Sequence, residues 1–336
     1  MSRHIDQMPT GASPDLADAL DRIAGFGAAL SARIARGGLA ESLGAAHGDT
    51  NADGDAQKAL DVISDDMARD ALAGSAVRFY ASEEQDDVIE ITAGGTLAVA
   101  IDPLDGSSNI DANLSIGSIF GIFPVAETGA ASVLRPARDL LASGYVIYGP
   151  QCCLMLRVGT GSTRKYVLDP DTRQFRDRGP VAGIPKEANE YAINASNYRH
   201  WSAAVRSYID DRIAGAGGPL GRDFNMRWVA SLVAETHRIL SRGGVFLYPA
   251  DERKGYEQGR LRLVYECGPI GHLIEGAGGK ATDGVRPILD VVPEGLHART
   301  PFVFGSAHKV DRVARHFSLP DSEHTALFSK RGFFLS

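Results

Sequence analysis

The stretch LAVAIDPLDGSSN, residues 97–109, joins an apolar run to a polar motif that follows it directly. The run from Leu97 to Ile101 is typical of a strand that is buried on both faces of a sheet. In the polar part, Pro103 restricts its own φ, and Gly106 permits a sharp turn or a close backbone approach. The stretch therefore predicts a buried strand that ends in a ligand-binding loop, because α/β sheets bind ligands at the carboxyl ends of their strands.

The loop offers groups of two kinds. The carboxylates of Asp102 and Asp105 are placed to converge on one hard cation. Gly106, Ser107 and Ser108 offer backbone N–H groups and hydroxyls to an anion beside that cation. A bare D-x-x-D-G is more often only a turn, because Asp, Gly and Ser are common turn residues. The full motif behind an apolar strand favours a binding site.

Three further acids also follow predicted strands or apolar runs. Glu83 and Glu84 follow a short strand pattern at 77–80, and Glu266 ends the run LRLVY at 261–265. Oxygen ligands from several strand ends suit Mg²⁺ or Mn²⁺. Each acid also has a simpler interpretation, since Glu83 and Glu84 would make an ordinary solvated pair and Glu266 an ordinary helix-start acid.

Two more acids flank a predicted helix start. Asp55 and Asp61 surround the beginning of a helix whose apolar face carries Leu60, Ile63 and Met67. Their simpler interpretation is N-terminal capping. A glycine-containing loop at 48–54 is predicted to precede this helix.

The hydrophobic pattern predicts the order of the elements. Residues 1–13 are expected to form a loose tail, followed by a helix whose apolar residues run from Leu16 to Ile34. Consecutive short strands then suggest an antiparallel meander. These strands are predicted at residues 77–80, 97–101, 116–125, 145–148, 152–158 and 165–168.

The second half of the chain alternates between helix and strand patterns, which implies an α/β layer. Helices are predicted at 201–213, 225–240, 269–276 and 312–317, and strands at 245–248 and 302–304. The polar segment 179–189 is the expected boundary between domains at 1–184 and 185–336. We therefore expect an α/β protein with an N-terminal mixed or antiparallel sheet with helices and a C-terminal α/β layer.

Composition excludes several classes of protein. The 336 residues are 44% hydrophobic and carry a net charge of −7, so the molecule as a whole does not attract nucleic acid. The three cysteines form no disulfide framework and no zinc motif. No run approaches the length of a membrane span or the pattern of a signal peptide. We expect a reduced, cytoplasmic protein without a membrane or nucleic-acid partner.

These motifs together resemble those of class I fructose-1,6-bisphosphatases, in the lithium-sensitive sugar- and inositol-phosphatase superfamily. The run DPLDGSSNID at 102–111 matches that family's signature almost letter for letter. The other matching motifs are GDxQKxLD in degraded form at 54–61, SEE at 82–84, LDP at 168–170, GGVFLYPA at 243–250 and LRLVYEC at 261–267. The resemblance spans residues 15–317 and implies an α+β layered sugar-phosphatase fold.

The resemblance also implies a role for each matching residue. The implied metal ligands are Glu83, Glu84, Asp102, Asp105 and Glu266, with the backbone carbonyl of Leu104. The acids that would assist water activation are Asp55, Asp61 and Glu84, with Arg262 as the ion-pair partner of Asp55. The implied substrate contacts are Asp105, Gly106, Ser107, Ser108, Asn194, Arg227, Tyr248 and Arg260.

The implied reaction is hydrolysis of the 1-phosphate of fructose 1,6-bisphosphate, in gluconeogenesis or the Calvin cycle, by water activated at a site of two or three Mg²⁺ or Mn²⁺ ions per subunit. A homotetramer is implied, in which Arg227 reaches the active site of a neighbouring subunit. Sedoheptulose 1,7-bisphosphate is an alternative or second substrate, because a pocket discriminates weakly between ketoses of different chain length. An inositol-type monophosphatase fits less well, since it would not need a second phosphate site.

Three regions depart from the family pattern. Arg260 stands where the family usually has lysine, which keeps the charge but changes the geometry of the contact. Trp228 replaces a phosphate-binding tyrosine of the animal enzymes, and Tyr198 lies near the place of another; simple packing is the alternative for both. Thr96 and Leu97 replace a Lys-Tyr pair that holds AMP in animal relatives, which predicts that AMP does not inhibit.

Overall fold

The computed structural model describes residues 3–37, 46–50 and 56–317, with the backbone alone at 46–50 and 56–58. The α-helices of these residues are Pro14–Arg36 (α1), Ala59–Leu72 (α2), Gly129–Val133 (α3), Ala203–Ile213 (α4), Leu232–Arg242 (α5), Gly268–Gly276 (α6) and Ala307–Phe317 (α7). The first strands are Ala46–Thr50 (β1), Ala56–Lys58 (β2), Val77–Ser82 (β3), Ile89–Glu90 (β4), Leu97–Asp105 (β5), Ile116–Pro124 (β6), Ala142–Tyr148 (β7), Cys152–Val158 (β8), Arg164–Asp169 (β9) and Gln174–Pro180 (β10). The later strands are Glu190–Ala192 (β11), Asn225–Met226 (β12), Val245–Tyr248 (β13), Leu261–Arg262 (β14), Lys280–Thr282 (β15), Arg299–Thr300 (β16) and Phe302–Gly305 (β17).

The larger sheet has eight strands in the order β10-β9-β8-β7-β6-β5-β3-β4. Strands β5 to β9 form the antiparallel meander that the sequence predicted, and β10, which was not predicted, extends it. The strand predicted at 77–80, β3, was expected in the meander but does not belong to it. The neighbour of β5 on its other side, β3, runs parallel to it. The parallel pair brings the carboxyl ends of β3 and β5 to the same edge, so the acids that follow the two strands lie near each other.

Strand β5 is buried on both faces, as the apolar run predicted. Val99 and Ile101 belong to a core that also contains apolar residues of α1 and α2. Ala98 and Ala100 point the other way, into a core that contains residues of α5 and α6. Because side chains alternate along a strand, one apolar run serves both cores.

The second sheet has five strands in the order β12-β11-β13-β17-β15. Phe246 and Phe304 face the core that holds α5 and α6. Val245 and Val303 face a third core with residues of α4 and α7. The molecule therefore has five layers, helices alternating with sheets, which confirms the α/β fold class. No helix in the described ranges is both long and apolar enough to cross a membrane.

The N-terminal segment is not the loose tail that was predicted. Ile5 is fully buried and bridges to Phe175 of β10. The backbone N–H of Phe175 donates to the carbonyl of His4 at 2.7 Å, and the N–H of Asp6 donates to Phe175 at 3.2 Å. The segment extends the edge of the larger sheet, which buries apolar surface that a free tail would expose.

Two other predictions need correction. The predicted loop at 48–54 overlaps β1, which pairs with β2 in an antiparallel ribbon. The helix predicted at 225–240 begins only at Leu232, because Asn225–Met226 forms the edge strand β12 beside β11. Ala230 has a left-handed φ of 60°, which interrupts any helix before Ser231. Ser231 then caps α5 by accepting a hydrogen bond from the N–H of Ala234.

Candidate active site

The loop after β5 is held against the start of α5. The carboxylate of Asp105 accepts hydrogen bonds from the hydroxyl of Ser231 at 3.0 Å, from the N–H of Leu232 at 3.3 Å and from the N–H of Val233 at 2.9 Å. The positive end of the helix dipole faces the same carboxylate. Asp105 therefore joins the DPLDG motif to an element more than 120 residues further along the chain.

A second contact fixes the turn before α5. The side-chain amide of Asn109 donates to the carbonyls of Ala230 at 3.0 Å and Val229 at 3.4 Å. Gly106 has a φ of 80°, and a Cβ atom there would lie 3.1 Å from Cβ of Ser231, so glycine suits both the backbone and the close approach. The sequence pattern did not predict this turn, although a serine before an amphipathic run was the available signal for the helix start.

Three carboxylates converge beside this loop. Oxygen atoms of Asp102, Asp105 and Glu266 lie within 4.8 Å of one another, and all three residues are buried. Asp102 accepts a hydrogen bond from the N–H of Leu104 at 2.9 Å. Glu266 accepts one from the N–H of Arg262 at 2.6 Å. These backbone contacts orient the side chains before any ligand is present.

Glu83 borders the three carboxylates. One of its oxygens lies 2.6 Å from the guanidinium of Arg262. Its other oxygen, Oε2, is buried and has no hydrogen-bond partner. A buried carboxylate oxygen without a donor is costly, which indicates that a cation or an ordered ligand completes the site.

The electrostatics of the site favour the same conclusion. Burial, reinforced by Glu266, raises the pKa of Glu83 well above its usual value. Burial, reinforced by Glu83, does the same to the pKa of Asp102. The pKa of Asp105 is raised by burial and lowered in part by the hydrogen bonds from α5. Burial raises the pKa of Glu266 to about 7 against the opposing charge of Arg262. Packed carboxylates of this kind stay ionised together only when a cation joins them.

The residues therefore fit a divalent metal site. The donors are all carboxylate oxygens, the ligands that Mg²⁺ and Mn²⁺ prefer. Leu104, whose carbonyl was expected to be a ligand, is buried on β5 between the two aspartates of the motif.

The remaining predicted acids occupy different surroundings. Glu84 follows β3 and its N–H donates to the hydroxyl of Ser82 at 3.2 Å. Asp61 is buried in the first turn of α2. Asp55 lies outside the described residues, and so does its expected pairing with Arg262. Arg262 also forms an ion pair with Glu83.

A cavity of about 500 Å³ opens directly beside the carboxylates. It contains most of the substrate-contact residues that the resemblance implied. Its polar lining includes Gly106, Ser107, Ser108, Asn194, Tyr248 and Arg260, together with Asp105 and Glu266. The cavity lining therefore combines carboxylates of the candidate metal site with the cationic Arg260, a combination that suits a ligand with more than one phosphate.

Aromatic rings form one wall of this cavity. The ring of Trp228 stacks on that of Phe246, with centroids 5.9 Å apart and planes 9° from parallel. Tyr248 lies 6.1 Å from the same indole, centroid to centroid. Trp228 thus both packs and lines the cavity.

Arg227 and Tyr198, which were considered as phosphate contacts from the sequence, are not part of the cavity lining. Arg227 is about half exposed, and its guanidinium lies 3.7 Å from the carboxylate of Glu190. The hydroxyl of Tyr198 donates a hydrogen bond to the carboxylate of Asp210, and its ring packs edge-on against Trp201.

Comparison with known proteins agrees with this geometry. The family description "Fructose-1-6-bisphosphatase, N-terminal domain" matches residues 6–178, and "Fructose-1-6-bisphosphatase, C-terminal domain" matches residues 184–318. The chain belongs to the class I fructose-1,6-bisphosphatase family. A class 1 fructose-1,6-bisphosphatase of Cereibacter sphaeroides is 60% identical over 333 residues, 99% of this chain and 98% of the relative. One from Rhodobacter capsulatus is 59% identical over 326 residues, 97% of this chain and 98% of the relative.

The fold agrees with solved structures of this fructose-1,6-bisphosphatase family. The holo form of the Leishmania major fructose-1,6-bisphosphatase is 33% identical, has a TM-score of 0.85, and aligns over 93% of this chain and 96% of its own. The apo form gives a TM-score of 0.81 at 31% identity, over 94% and 96%. The chain is an enzyme that hydrolyses fructose 1,6-bisphosphate, and as a member of this family it depends on a divalent metal.

Proposed function

We propose that this fructose-1,6-bisphosphatase removes the 1-phosphate at the carboxylate cluster and holds the other phosphate at the opposite end of the cavity. The observation that carries this proposal is the convergence of Asp102, Asp105 and Glu266 within 4.8 Å beside a cavity whose lining also includes Arg260. Negative groups at one end call for a cation, and a cation at the other end calls for a phosphate.

The metal ligands in this proposal are Glu83, Glu84, Asp102, Asp105 and Glu266, with the carbonyl of Leu104. The acidic oxygen set favours Mg²⁺, with Mn²⁺ as the alternative, and two or three ions per subunit would balance its charge. When bound, such ions supply charge neutralisation of the phosphoryl oxygens and of the leaving oxygen.

The protein's own groups then bind, orient and move protons. Glu84 and Asp61 are the proposed acceptors of the proton from the attacking water, with Asp55 assisting. The N–H groups of Gly106, Ser107 and Ser108, at the turn after β5, orient the phosphate that is cleaved. The aromatic wall of Trp228 and Phe246 excludes water from one side of the cavity.

The other phosphate is assigned to Asn194, Tyr248 and Arg260. A guanidinium binds phosphate with two parallel N–H donors, so Arg260 provides a directional contact. We also propose a homotetramer in which Arg227 completes a neighbouring site, since its guanidinium is exposed outside its own cavity. A cytoplasmic location and a division into domains at 1–184 and 185–336 belong to the same proposal.

Metal dependence and one matched pair of variants test the catalytic assignment. We expect chelated enzyme to release no phosphate from fructose 1,6-bisphosphate, and added Mg²⁺ to restore the release. Glu266→Gln should lower kcat by about 10²–10³-fold, the cost of removing one key electrostatic group. Glu275→Gln, at an exposed acid of the same helical segment, is the control and should leave kcat unchanged. Full activity after chelation, or equal kcat values for the two variants, would contradict the assignment.

Three substrates test the far phosphate site. Arg260→Met should raise KM for fructose 1,6-bisphosphate but leave KM for fructose 1-phosphate unchanged, because the latter has no second phosphate. Comparing kcat/KM for fructose 1,6-bisphosphate and sedoheptulose 1,7-bisphosphate measures whether the enzyme also accepts the longer sugar. An equal effect of Arg260→Met on the bisphosphate and the monophosphate would remove Arg260 from this site.

A further inference from the structure

Two cationic side chains are buried between α4 and α7, outside the lining of the active-site cavity. Arg212 is 2% exposed and Lys309 is 1% exposed. Both lie against the ring of Phe224: the guanidinium carbon of Arg212 is 5.6 Å from the ring centroid, and Nζ of Lys309 is 4.6 Å from it. Arginine and lysine are almost never this buried unless they are paired.

Arg212 lacks a matching anion. Its guanidinium lies over the ring of Tyr208, and Nη1 donates to the carbonyl of the same residue. Nε and Nη2 are buried without a hydrogen-bond partner. Within the described part of the chain, no carboxylate oxygen comes within ion-pair distance of Arg212. Stacking on an aromatic ring offsets part of the charge but does not satisfy the N–H groups.

Lys309 shares its one carboxylate with other cations. Its Nζ forms an ion pair with Glu187 at 3.3 Å, but without good hydrogen-bond geometry. The same carboxylate lies 2.8 Å from Arg222 and 3.4 Å from His308. The hydroxyl of Tyr208, beside Arg212, is also buried without a partner. Arg212, Lys309 and Tyr208 therefore all have buried donor groups that are not satisfied by a hydrogen bond.

Positive charges outnumber negative charges in this region. Arg212, Arg222, Lys309 and Arg312 influence one another, whereas the nearby acids are Glu187 and Asp211, and Asp211 faces His316 at 3.8 Å. Burial lowers the pKa of Arg212 to about 10 and that of Lys309 to about 8. Both cations are therefore destabilised in the absence of a further anion.

We propose that Arg212, Lys309, Arg222 and the hydroxyl of Tyr208, together named the α4/α7 cluster, form a second site that binds inorganic phosphate or a phosphate monoester. An excess of two positive charges suits a phosphate dianion, and the unused N–H and O–H groups suit its oxygens. The side chains of Arg222 and Glu187 are 36% and 40% exposed, so the cluster meets solvent on their side. Glu187 contacts the cations that phosphate would contact, so the two compete.

Calorimetric titration of the chelated full-length protein tests this site. Arg260→Met serves as the parent, because it weakens phosphate binding in the active-site cavity, and the ligands are inorganic phosphate and fructose 6-phosphate. Adding Lys309→Met or Arg212→Met should weaken phosphate binding at least about tenfold, the equivalent of one charge-assisted hydrogen bond. Adding Glu187→Gln should strengthen it, because the competing carboxylate is gone. Lys280→Met, which removes an exposed lysine paired with Asp311 of α7, is the control.

Comparing the two ligands shows whether the cluster binds free phosphate alone or also phosphate monoesters. Binding of both at the cluster means that it accepts monoesters, whereas binding of phosphate alone restricts it to the free ion. Parental affinity in Lys309→Met overturns the proposal. Where Lys309→Met does not fold, Glu187→Gln decides alone, and unchanged or weaker binding in that variant overturns the proposal.

Unfolding in phosphate-free buffer provides an independent readout. Lys309→Met should be at least as stable as its parent there, since the substitution removes a buried charge while Glu187 keeps Arg222 and His308 as its partners. The parent should gain thermal stability when phosphate is added, and the variant should not. A loss of stability in Lys309→Met together with an unchanged response to phosphate would show that Lys309 only pairs with Glu187.

Discussion

Arg260 donates a hydrogen bond from Nη1 to the hydroxyl oxygen of Tyr256, 2.6 Å away. The guanidinium carbon of Arg260 lies 4.8 Å from the centroid of the Tyr256 ring, and that of Arg253 lies 4.0 Å from it. Arg253 is held in turn by Asp251 through contacts of 2.9 and 3.1 Å. Tyr256 therefore holds the side chain of Arg260 in place where it lines the cavity. A lysine at position 260 would contact Tyr256 with a different geometry.

We expect Tyr256→Phe to raise KM for fructose 1,6-bisphosphate about two- to tenfold with little change in kcat, as befits the loss of one hydrogen bond that orients a binding group. Arg260→Lys should raise KM by a similar factor, and the double variant should be little worse than either single variant, because both lose the same contact. Steady-state kinetics on the four proteins measure this coupling. Additive effects would mean that Tyr256 does not act through Arg260.

The pKa of Glu266, which burial raises to about 7, makes metal binding dependent on pH. Below that value a proton occupies the carboxylate and competes with the cation. The folded pKa exceeds the usual 4.5, so this group's contribution to the stability of metal-free protein is complete below pH 4.5 and is lost as pH rises through about 7. We therefore expect the gain in Tm on adding Mg²⁺ to grow between pH 6 and pH 8. A gain that is the same at both pH values would contradict this assignment.

Asp105 has a structural task as well as its proposed task at the metal. Its carboxylate accepts three hydrogen bonds from the start of α5. Asp105→Ala should abolish turnover and also cost about 1–2 kcal/mol of unfolding free energy, as for the loss of a helix cap. Asp105→Asn should abolish turnover at a smaller cost, because the amide oxygen still accepts and the crowded negative charge is removed. Urea unfolding of the metal-free proteins distinguishes them, and equal stability of the two variants would rule out the capping contact.

Arg227 offers a test of the neighbouring-subunit contact with a built-in control. Arg227 and Arg242 both lie beside the carboxylate of Glu190, at 3.7 and 3.1 Å. Arg227→Ala should raise KM for fructose 1,6-bisphosphate about tenfold or more, the effect of losing a charge-assisted phosphate contact. Arg242→Ala should leave KM unchanged. Equal KM values for the two variants would mean that Arg227 does not meet substrate.

Features that depend on local pattern were predictable from the sequence. The 3.6-residue periodicity that begins at Leu16 predicted α1, and the continuous apolar run at 97–101 predicted a strand between two cores. The acids at the ends of β3 and β5 were expected to meet, and the parallel pairing of those strands explains why they do. For the helix and the strand, neighbouring residues carry the whole signal.

Features that depend on distant residues were not predictable in this way. No sequence pattern near Ala230 predicts the left-handed turn there. That turn is held by hydrogen bonds from Asn109, 121 residues earlier. Ile5 is buried only because Phe175 provides an edge for it. The ion pair between Arg262 and Glu83 likewise depends on the tertiary structure. Short-range patterns contain no information about such pairings.

The last prediction concerns AMP, which the sequence predicts not to inhibit this enzyme. Thr96 and Leu97 stand where AMP-sensitive animal relatives have a Lys-Tyr pair. In the structure the hydroxyl of Thr96 donates to the carboxylate of Asp15 at 2.6 Å, and Leu97 is buried in the core. An AMP phosphate at this position would meet a carboxylate instead of a cation, and no gain would offset its dehydration. Titration with AMP at saturating Mg²⁺ and at two substrate concentrations should therefore leave the rate unchanged. Half-inhibition at micromolar AMP would contradict this prediction, and its persistence in Lys309→Met would exclude the α4/α7 cluster as the site that responds.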